Sequence, residues 1–392
     1  MTAPATTAPG DGVHGTVSEE RMDPLARRRR AMYRLTPDEP LLRTEFGFME
    51  GLWEAWKAQG MPPDVPRERL FDYDGKTEHG LGGLGWCEAA FCPAFETRVL
   101  EDRGAHELVQ DFAGRKVLCF KGRRNGFMPE YVEHPVKDMR TWQEHVAWRL
   151  DPATPQRWAD FDRAMRDARD AAGRGFMISQ RVVGGYMYLR SLIGPEEVLY
   201  AFYDQPQLVH ACMRTWLALA DAVTARHQQH VTIDEIFFAE DICYNHGILI
   251  SPDTMKEFLL PYYQQLIASL RRRQLDPSRH LYVKVDTDGD ARPVLPVYRE
   301  AIALDAMTPF EVASGCDVVA IGRQYPDLVI FGGIDKRVLA AGRAAIDRMV
   351  ERIFPPMRRR GGYVPCCDHA VPVEVRYEHY LHYRRRAVEL GG

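Results

Sequence analysis

From about residue 140 onward the chain repeats one rhythm, an apolar run of strand length followed by a helical segment, and this alternation narrows the fold more than any other feature. FMISQRV precedes a helical stretch from Pro195 to His230, its start set by the Gly194-Pro195 break. IDEIFFAED precedes a helix opening at SPDTMKEF, where Ser251 suits the N-cap, Pro252 the first helical position and Asp253 the helix dipole. HLYVKVD, LDAMTPF, DLVIFGGID and GYVPCCD each precede a further helical segment. Strands that alternate with helices pair in parallel through right-handed crossovers, which leaves a doubly wound α/β sheet or a closed barrel. With an early strand in LLRTEFGF the count is seven, and an eighth has room in 85–100 or 312–322. The polar residues favour the barrel. Glu45, Glu240 with Asp241, Asp286 with Asp288, Glu311, Asp335, and Cys367-Asp368-His369 each fall at or just past the C-terminal end of a strand. In a barrel those ends surround one mouth. The expectation is a (β/α)8 TIM barrel with an N-terminal extension and a β-hairpin excursion.

The excursion is expected within 64–135, where ELVQDFAGRKVLCFKG alternates on both sides of an Ala-Gly turn. Residues 1–22, rich in Ala, Thr, Pro and Gly, read as a disordered tail, which leaves 23–392 as the barrel domain. The arginines at 27–30, inside DPLARRRRAMYRL, read as the solvated face of a short helix with Leu25, Met32 and Leu35 turned inward. With 51 Lys and Arg against 55 Asp and Glu, the net charge of −4 gives no reason to expect a nucleic-acid partner. No run approaches the roughly 20 apolar residues a bilayer demands, and the start lacks an apolar signal core, so the protein is expected to be cytoplasmic, without a membrane partner. Eight cysteines with no C-x-x-C pair leave reduced thiols as the default.

Four motifs carry chemistry or imitate it. Gly80-Leu-Gly82-Gly-Leu-Gly85 fits the dinucleotide fingerprint, but with no apolar strand leading in and Pro93 close behind, it reads as an active-site loop. Asp286-Thr-Asp288-Gly-Asp290 has alternating acids, yet lacks the glycine and glutamate of a calcium loop, so a strand-end acid pair is the better reading. Cys366-Cys367-Asp368-His369 offers thiolate, carboxylate and imidazole within four residues, and neighbouring strand residues point to opposite faces, so one cysteine should face the mouth. Its plain alternative is two buried thiols that only pack. His379 and His382, spaced i, i+3, read as part of a wet helix face.

Taken together, EFGFMEGLWEAWKAQGMP, FMPEYVEHPVKD, FAEDICYNHGILISPDTMKEFLLPYY, FGGIDKRVLAAG and GGYVPCCDHAVPVEV resemble the uroporphyrinogen decarboxylase superfamily. The likeness spans about residues 24–390 and is greatest to the methyltransferase-like, corrinoid-associated branch. It implies a (β/α)8 barrel. The arginine-containing N-terminal phrase of the true decarboxylases is not visible.

In the thiol-methylating branch a His-x-Cys pair and a later Cys hold zinc. The resemblance places Asp286 and Asp288 at the His-x-Cys positions and Cys367 at the later cysteine, so one soft ligand survives and harder metals gain. It implies a divalent metal, zinc among the candidates, held by Asp286, Cys367 and Glu240. Asp288, His369, Asp241 and Glu311 would be catalytic, and Glu45, Arg181, Tyr244 and Asp335 would meet the substrate. The implied function is metal-assisted transfer of a methyl group from a methoxylated or methylated small molecule to a corrinoid on a partner protein. The alternatives are cofactor-free decarboxylation of a tetrapyrrole or other carboxylate, with arginines such as Arg43, Arg181 or Arg190 anchoring carboxylates, and an inactive tetrapyrrole-binding barrel.

Overall fold

The computed structural model describes residues 17–122 and 129–392. In chain order its strands are β1 (Glu78–Leu81), β2 (Arg98–Arg103), β3 (His106–Gln110), β4 (Lys116–Phe120), β5 (Glu130–Glu133), β6 (Met177–Val183), β7 (Glu235–Ala239), β8 (Cys243–Tyr244), β9 (Gly247–Ile248), β10 (Tyr282–Asp286), β11 (Ala306–Phe310), β12 (Val329–Gly332) and β13 (Tyr363–Val364). Seven of them form one curled parallel sheet in the order β1-β6-β7-β10-β11-β12-β13. Helices cover its outer face, so strands such as β7 and β10 are buried on both sides.

Two expectations about strands need correction. LLRTEFGF supplies only a parallel bridge from Phe48 to Val371, with the Met49 amide bonded to the Val371 carbonyl at 3.0 Å. The strand absent from the sequence count is β1, which lies in neither expected window; 312–314 and 318–324 are helical. Its sequence, Glu-His-Gly-Leu, has no apolar run, and its pairing with β6 sets it in the sheet. The glycine-rich motif therefore does have a strand leading into it, and Gly82 to Gly85 form the loop at that strand's C-terminal end. The excursion exceeds a hairpin: β2-β3-β4-β5 make an antiparallel sheet of four strands, with β3 and β4 joined as the alternation requires. The long helix expected from Pro195 to His230 is two, Glu197–Asp204 and Pro206–His227. The cap at Ser251 forms, its side chain accepting from the Thr254 amide.

Residues 1–16 of the expected tail lie outside the described residues, whereas Glu19–Arg21 form a 3-10 turn that Arg34 joins through Glu19. The helix Pro24–Tyr33 then closes the strands' N-terminal end. Arg27 is exposed as expected, but its three neighbours are not a solvated face: Arg28 meets Asp74, Arg29 meets Glu78, and Arg30 bonds Asp234 and the carbonyls of Gly175 and Phe176. Tyr33 enters the sheet's inner side beside Met177, Ala306, Val329, Phe331 and Val364, an apolar plug. Beneath that plug, buried Glu235 accepts from the Tyr33 hydroxyl and from Ser179 Oγ at 2.6 Å. Burial alone would raise the Glu235 pKa, but Lys284, Arg29 and these two donors hold it below the usual range. No helix among the described residues is long and apolar enough to cross a membrane.

Candidate active site

The opposite end is built differently. At the end of β10, Asp286 turns its side chain into the sheet's concave side, and its Oδ1 is buried with no hydrogen-bond partner. Burial, then Asp288, then Asp241 push its pKa well above the carboxylate range, with Lys284 opposing. Asp288, two residues on, is pushed up to about 7 by burial, Asp241 and Glu311. His369 Nε2 lies 3.5 Å from its Oδ2, with the Phe46 ring 5.3 Å from the imidazole. Burial and Lys336 lower the His369 pKa, so at neutral pH the pair is a carboxyl group near its midpoint beside a neutral ring. Asp241 holds a left-handed backbone at φ 51, uncommon for a residue other than glycine, and pairs with Arg190 at 3.1 Å.

Hydrogen bonds tie the strand-end loops into one rim. Glu311 accepts from the Gly289 amide at 3.0 Å and from Lys336 Nζ at 3.2 Å. Asp368 accepts from the Val312 amide at 3.0 Å and the Lys336 amide at 3.2 Å. Burial nevertheless pushes Asp368 up to about 6. Four loops, those after β10, β11, β12 and β13, are held by these two carboxylates. Gly289, at φ +79, is forced: a Cβ there would stand 2.6 Å from the backbone of Tyr244, which sits exposed in the β8-β9 hairpin at the rim.

Of the eleven residues implied by resemblance, Asp241, Asp286, Asp288, Glu311 and His369 share this rim, with Tyr244 at its edge. Glu240 does not join them. It is fully buried against the helix layer, accepting from the Tyr186 amide at 2.7 Å and from the Tyr263 hydroxyl. Strand alternation explains this, because Asp241 takes the inward position and its neighbour must turn outward. Burial pushes Glu240 to about 7. Glu45 is likewise occupied, accepting from the Cys367 amide at 2.6 Å and the Tyr380 hydroxyl at 2.6 Å. Asp335 caps the helix Lys336–Ala341 and pairs with Arg337, so it has little left for a substrate. Cys367 has no exposed surface and lies in the main apolar core; burial, Glu45 and Asp368 raise its thiol pKa. A thiol so placed resists becoming the thiolate that a metal binds.

The metal set therefore does not fit. Glu240 has both oxygens engaged away from the rim, Cys367 is a buried thiol, and Asp286 is left with like-charged neighbours. Among the described residues, no group of three or more His, Cys, Asp or Glu side chains is disposed to hold a metal ion. Asp290 is also withdrawn from any calcium loop, pairing with Arg292 at 2.8 Å.

Beneath the rim lies a row of inward side chains that no motif in the sequence marks. Arg181, Phe237, Lys284 and Ala306 are register partners in a single inward row across β6, β7, β10 and β11. Lys284 Nζ lies 4.5 Å from the Phe237 ring centre and 4.0 Å from that of Phe331. Trp86, from the glycine-rich loop, stacks against Arg181 at 4.5 Å and approaches Phe237 at 5.5 Å. The spacing Lys284-x-Asp286 was the available signal, since residues two apart on a strand share a face.

A methyltransferase from Methanosarcina mazei shares the fold, with a TM-score of 0.58 at 14% identity over 93% of this chain and 98% of that one. A xylanase B from Clostridium stercorarium F9 aligns with a TM-score of 0.32, 12% identity, and 54% and 72% coverage. A B12-independent methionine synthase from Shewanella sp. W3-18-1 aligns at 0.35, 9% identity, and 76% and 73% coverage. No curated protein sequence matches. The family model of uroporphyrinogen decarboxylase (URO-D) matches residues 130–387, which takes in the sheet from β6 onward and every rim carboxylate named above. By that match and by its curled parallel sheet, the chain belongs to the uroporphyrinogen decarboxylase family.

Proposed function

We propose that the chain is an enzyme that transfers a methyl group from the oxygen of a small methoxylated molecule to a corrinoid carried by a separate protein, with Asp286 as the proton donor. One observation carries the reading: the Asp286 carboxyl is buried, unpartnered at Oδ1, and crowded by Asp288 and Asp241, so it holds its proton well above the usual carboxylate range. An alkoxide or phenoxide leaves poorly. When the carbon–oxygen bond breaks, its electron pair stays on oxygen, and a carboxylic acid at contact distance supplies the proton that neutralises it. Asp288, at about 7 and beside His369, is placed to restore that proton from solvent. No step needs a metal on the protein. The fold likeness to a methyltransferase supports the choice of reaction.

The proposal includes closure of the sheet into a (β/α)8 barrel through residues 43–49. That segment bonds Val371 on one side, and on the other the Arg43 carbonyl accepts from the Asp74 amide at 2.8 Å, just ahead of β1. Eight free thiols suit the reducing cytoplasm.

A second reading, decarboxylation, is favoured by Arg181, an exposed guanidinium on the same concave side as that acid; there Asp286 would protonate the carbanion left when CO2 departs. Incubation with reduced cobalamin and a panel of methoxylated compounds separates the two. The methylcobalamin spectrum, lost in Asp286→Asn, is the expected result. Release of CO2 from carboxylates without methyl transfer would replace the first reading by the second.

A further inference from the structure

The cations on the concave side and at the rim are almost all committed. Arg190 belongs to Asp241, Lys336 to Glu311, Arg292 to Asp290 and Arg337 to Asp335. Lys284 sits between the carboxyls of Glu235 and Asp286 over two phenyl rings. Arg181 is the exception: among the described residues no carboxylate pairs with it, although it stands in the middle of a strand. Its side chain is exposed, on the concave side of the sheet, with its guanidinium carbon 4.5 Å over the centre of the Trp86 ring. Stacking consumes the face of a guanidinium and leaves its in-plane N–H groups free, the edge that binds a carboxylate through two parallel bonds. Phe237, next to it in register and only half-buried, continues the aromatic surface from Trp86. In the next inward row up the strands stand Ala239 and Asp286 as register partners, so a methyl group is all that overhangs Phe237.

We infer that Arg181, Trp86 and Phe237 form a binding site for a small anion with a flat, unsaturated body, its carboxylate on the Arg181 edge and its plane against the two aromatic rings. The inference rests on the proposed function only in giving that site's substrate a charge and a shape. Strand spacing sets the Cα atoms of Arg181 and Asp286 about 12 Å apart, two strands and two residues removed. With both side chains turned inward, the gap suits one ring and leaves its far end at the Asp286 carboxyl. A charge of the opposite sign also answers a difficulty of the rim. An anion placed among unpaired acids would be repelled, but one held at the Arg181 edge keeps its charge away from them and presents its neutral end.

Calorimetric titration of the full-length protein at neutral pH and fixed salt tests this with three probes: benzoate, benzamide and cyclohexanecarboxylate. Benzoate should bind at least tenfold more tightly than benzamide, which keeps the ring and loses the charge. It should also bind severalfold more tightly than cyclohexanecarboxylate, which keeps the charge and loses the plane. Arg181→Gln should remove the benzoate advantage, and Arg181→Lys, which keeps the charge without the fork, should retain part of it; an unchanged melting temperature establishes that each variant is folded. Equal binding of benzoate and benzamide, no binding of either, or benzoate binding unaltered in a folded Arg181→Gln would overturn the site. Because these readouts need no turnover, a failure of methyl transfer with anion binding intact rejects the proposed reaction and leaves this site standing, and the reverse outcome rejects the site alone.

Discussion

Glu240→Gln separates a structural acid from a catalytic one, and the structure fixes both the sign and the size of the effect. Glu240 has no exposed surface and a pKa pushed from 4.5 to about 7, burial being the leading cause, with the Tyr263 and Tyr298 hydroxyls and the Tyr186 amide opposing it. A carboxyl whose folded pKa exceeds its unfolded value binds its proton more tightly when folded. Its contribution to stability is complete below about pH 4.5 and is lost as pH rises through about 7. Each unit is worth about 1.4 kcal/mol, so the shift costs the native state about 3 kcal/mol once the group ionises. Glutamine occupies the same volume, still accepts from the Tyr186 amide, and never ionises. The wild type should therefore lose about 3 kcal/mol relative to the variant between pH 4.5 and 8, which for a chain of this length is about 4 °C in Tm. The comparison subtracts the other titrating acids, since Asp286, Asp288 and Asp368 remain in both proteins. Thermal melts at several pH values measure the difference, and turnover is read on the same samples. Parallel melting profiles would refute the burial argument. A hundredfold loss of turnover in a folded variant would return Glu240 to the chemistry.

Three further outcomes follow from the same structure. Turnover of the wild type should fall as pH rises above about 7, where Asp288 loses its proton, and Asp288→Asn should flatten that limb of the pH profile while lowering the rate by 10² or more. Glu235→Gln should cost about 3 kcal/mol, read by chemical denaturation, because it leaves the buried Arg29 and Lys284 charges short of their partner; a neutral effect would mean that the cluster is not the closed ion network described. Cys367→Ala should lower stability by about 1–2 kcal/mol through a small cavity and leave turnover within a fewfold of wild type, and an inactive but folded variant would show the thiol to be chemical rather than packed.

What could be read from the sequence follows from which signals are local. The runs of β6, β7, β10, β11 and β12 announced themselves, because a strand covered on both faces is mostly apolar. The strand β1 did not, since Glu78 is there to meet Arg29 and Gly80 carries no side chain. The acids at the strand ends were legible as a set, but which of two adjacent ones faces inward depends on where each strand stops. That is why Asp241 reached the rim and Glu240 the helix layer. The arginines at 28–30 looked solvated because Asp74, Glu78 and Asp234, which neutralise them, come from two segments far along the chain. Arg181 was named as a substrate contact from resemblance, yet the Trp86 platform that gives it an orientation lies 95 residues earlier, in a loop read only for its glycines.

The two ends of the sheet handle charge in opposite ways, and the contrast explains how one chain tolerates its own rim. At the N-terminal end every named acid has a cation or a donor: Asp74 has Arg28 and Arg43, Glu78 has Arg29, Asp234 has Arg30 and Arg279, and Glu235 has Tyr33, Ser179 and Lys284. At the C-terminal end Asp286 has an orphaned oxygen, Asp288 and Asp368 hold their protons too long, and Asp241 keeps a strained backbone. Each of those features costs stability, so none is expected unless the arrangement does something with it. Relief is available in the sequence itself, because Asn at 286 would remove the repulsion from Asp288 and Asp241 at almost the same volume. A chain that keeps Asp286 instead retains an acid held well above the carboxylate range on the same side of the sheet as an unpaired guanidinium, the two groups that the proposed proton donation to a bound anion's far end would use.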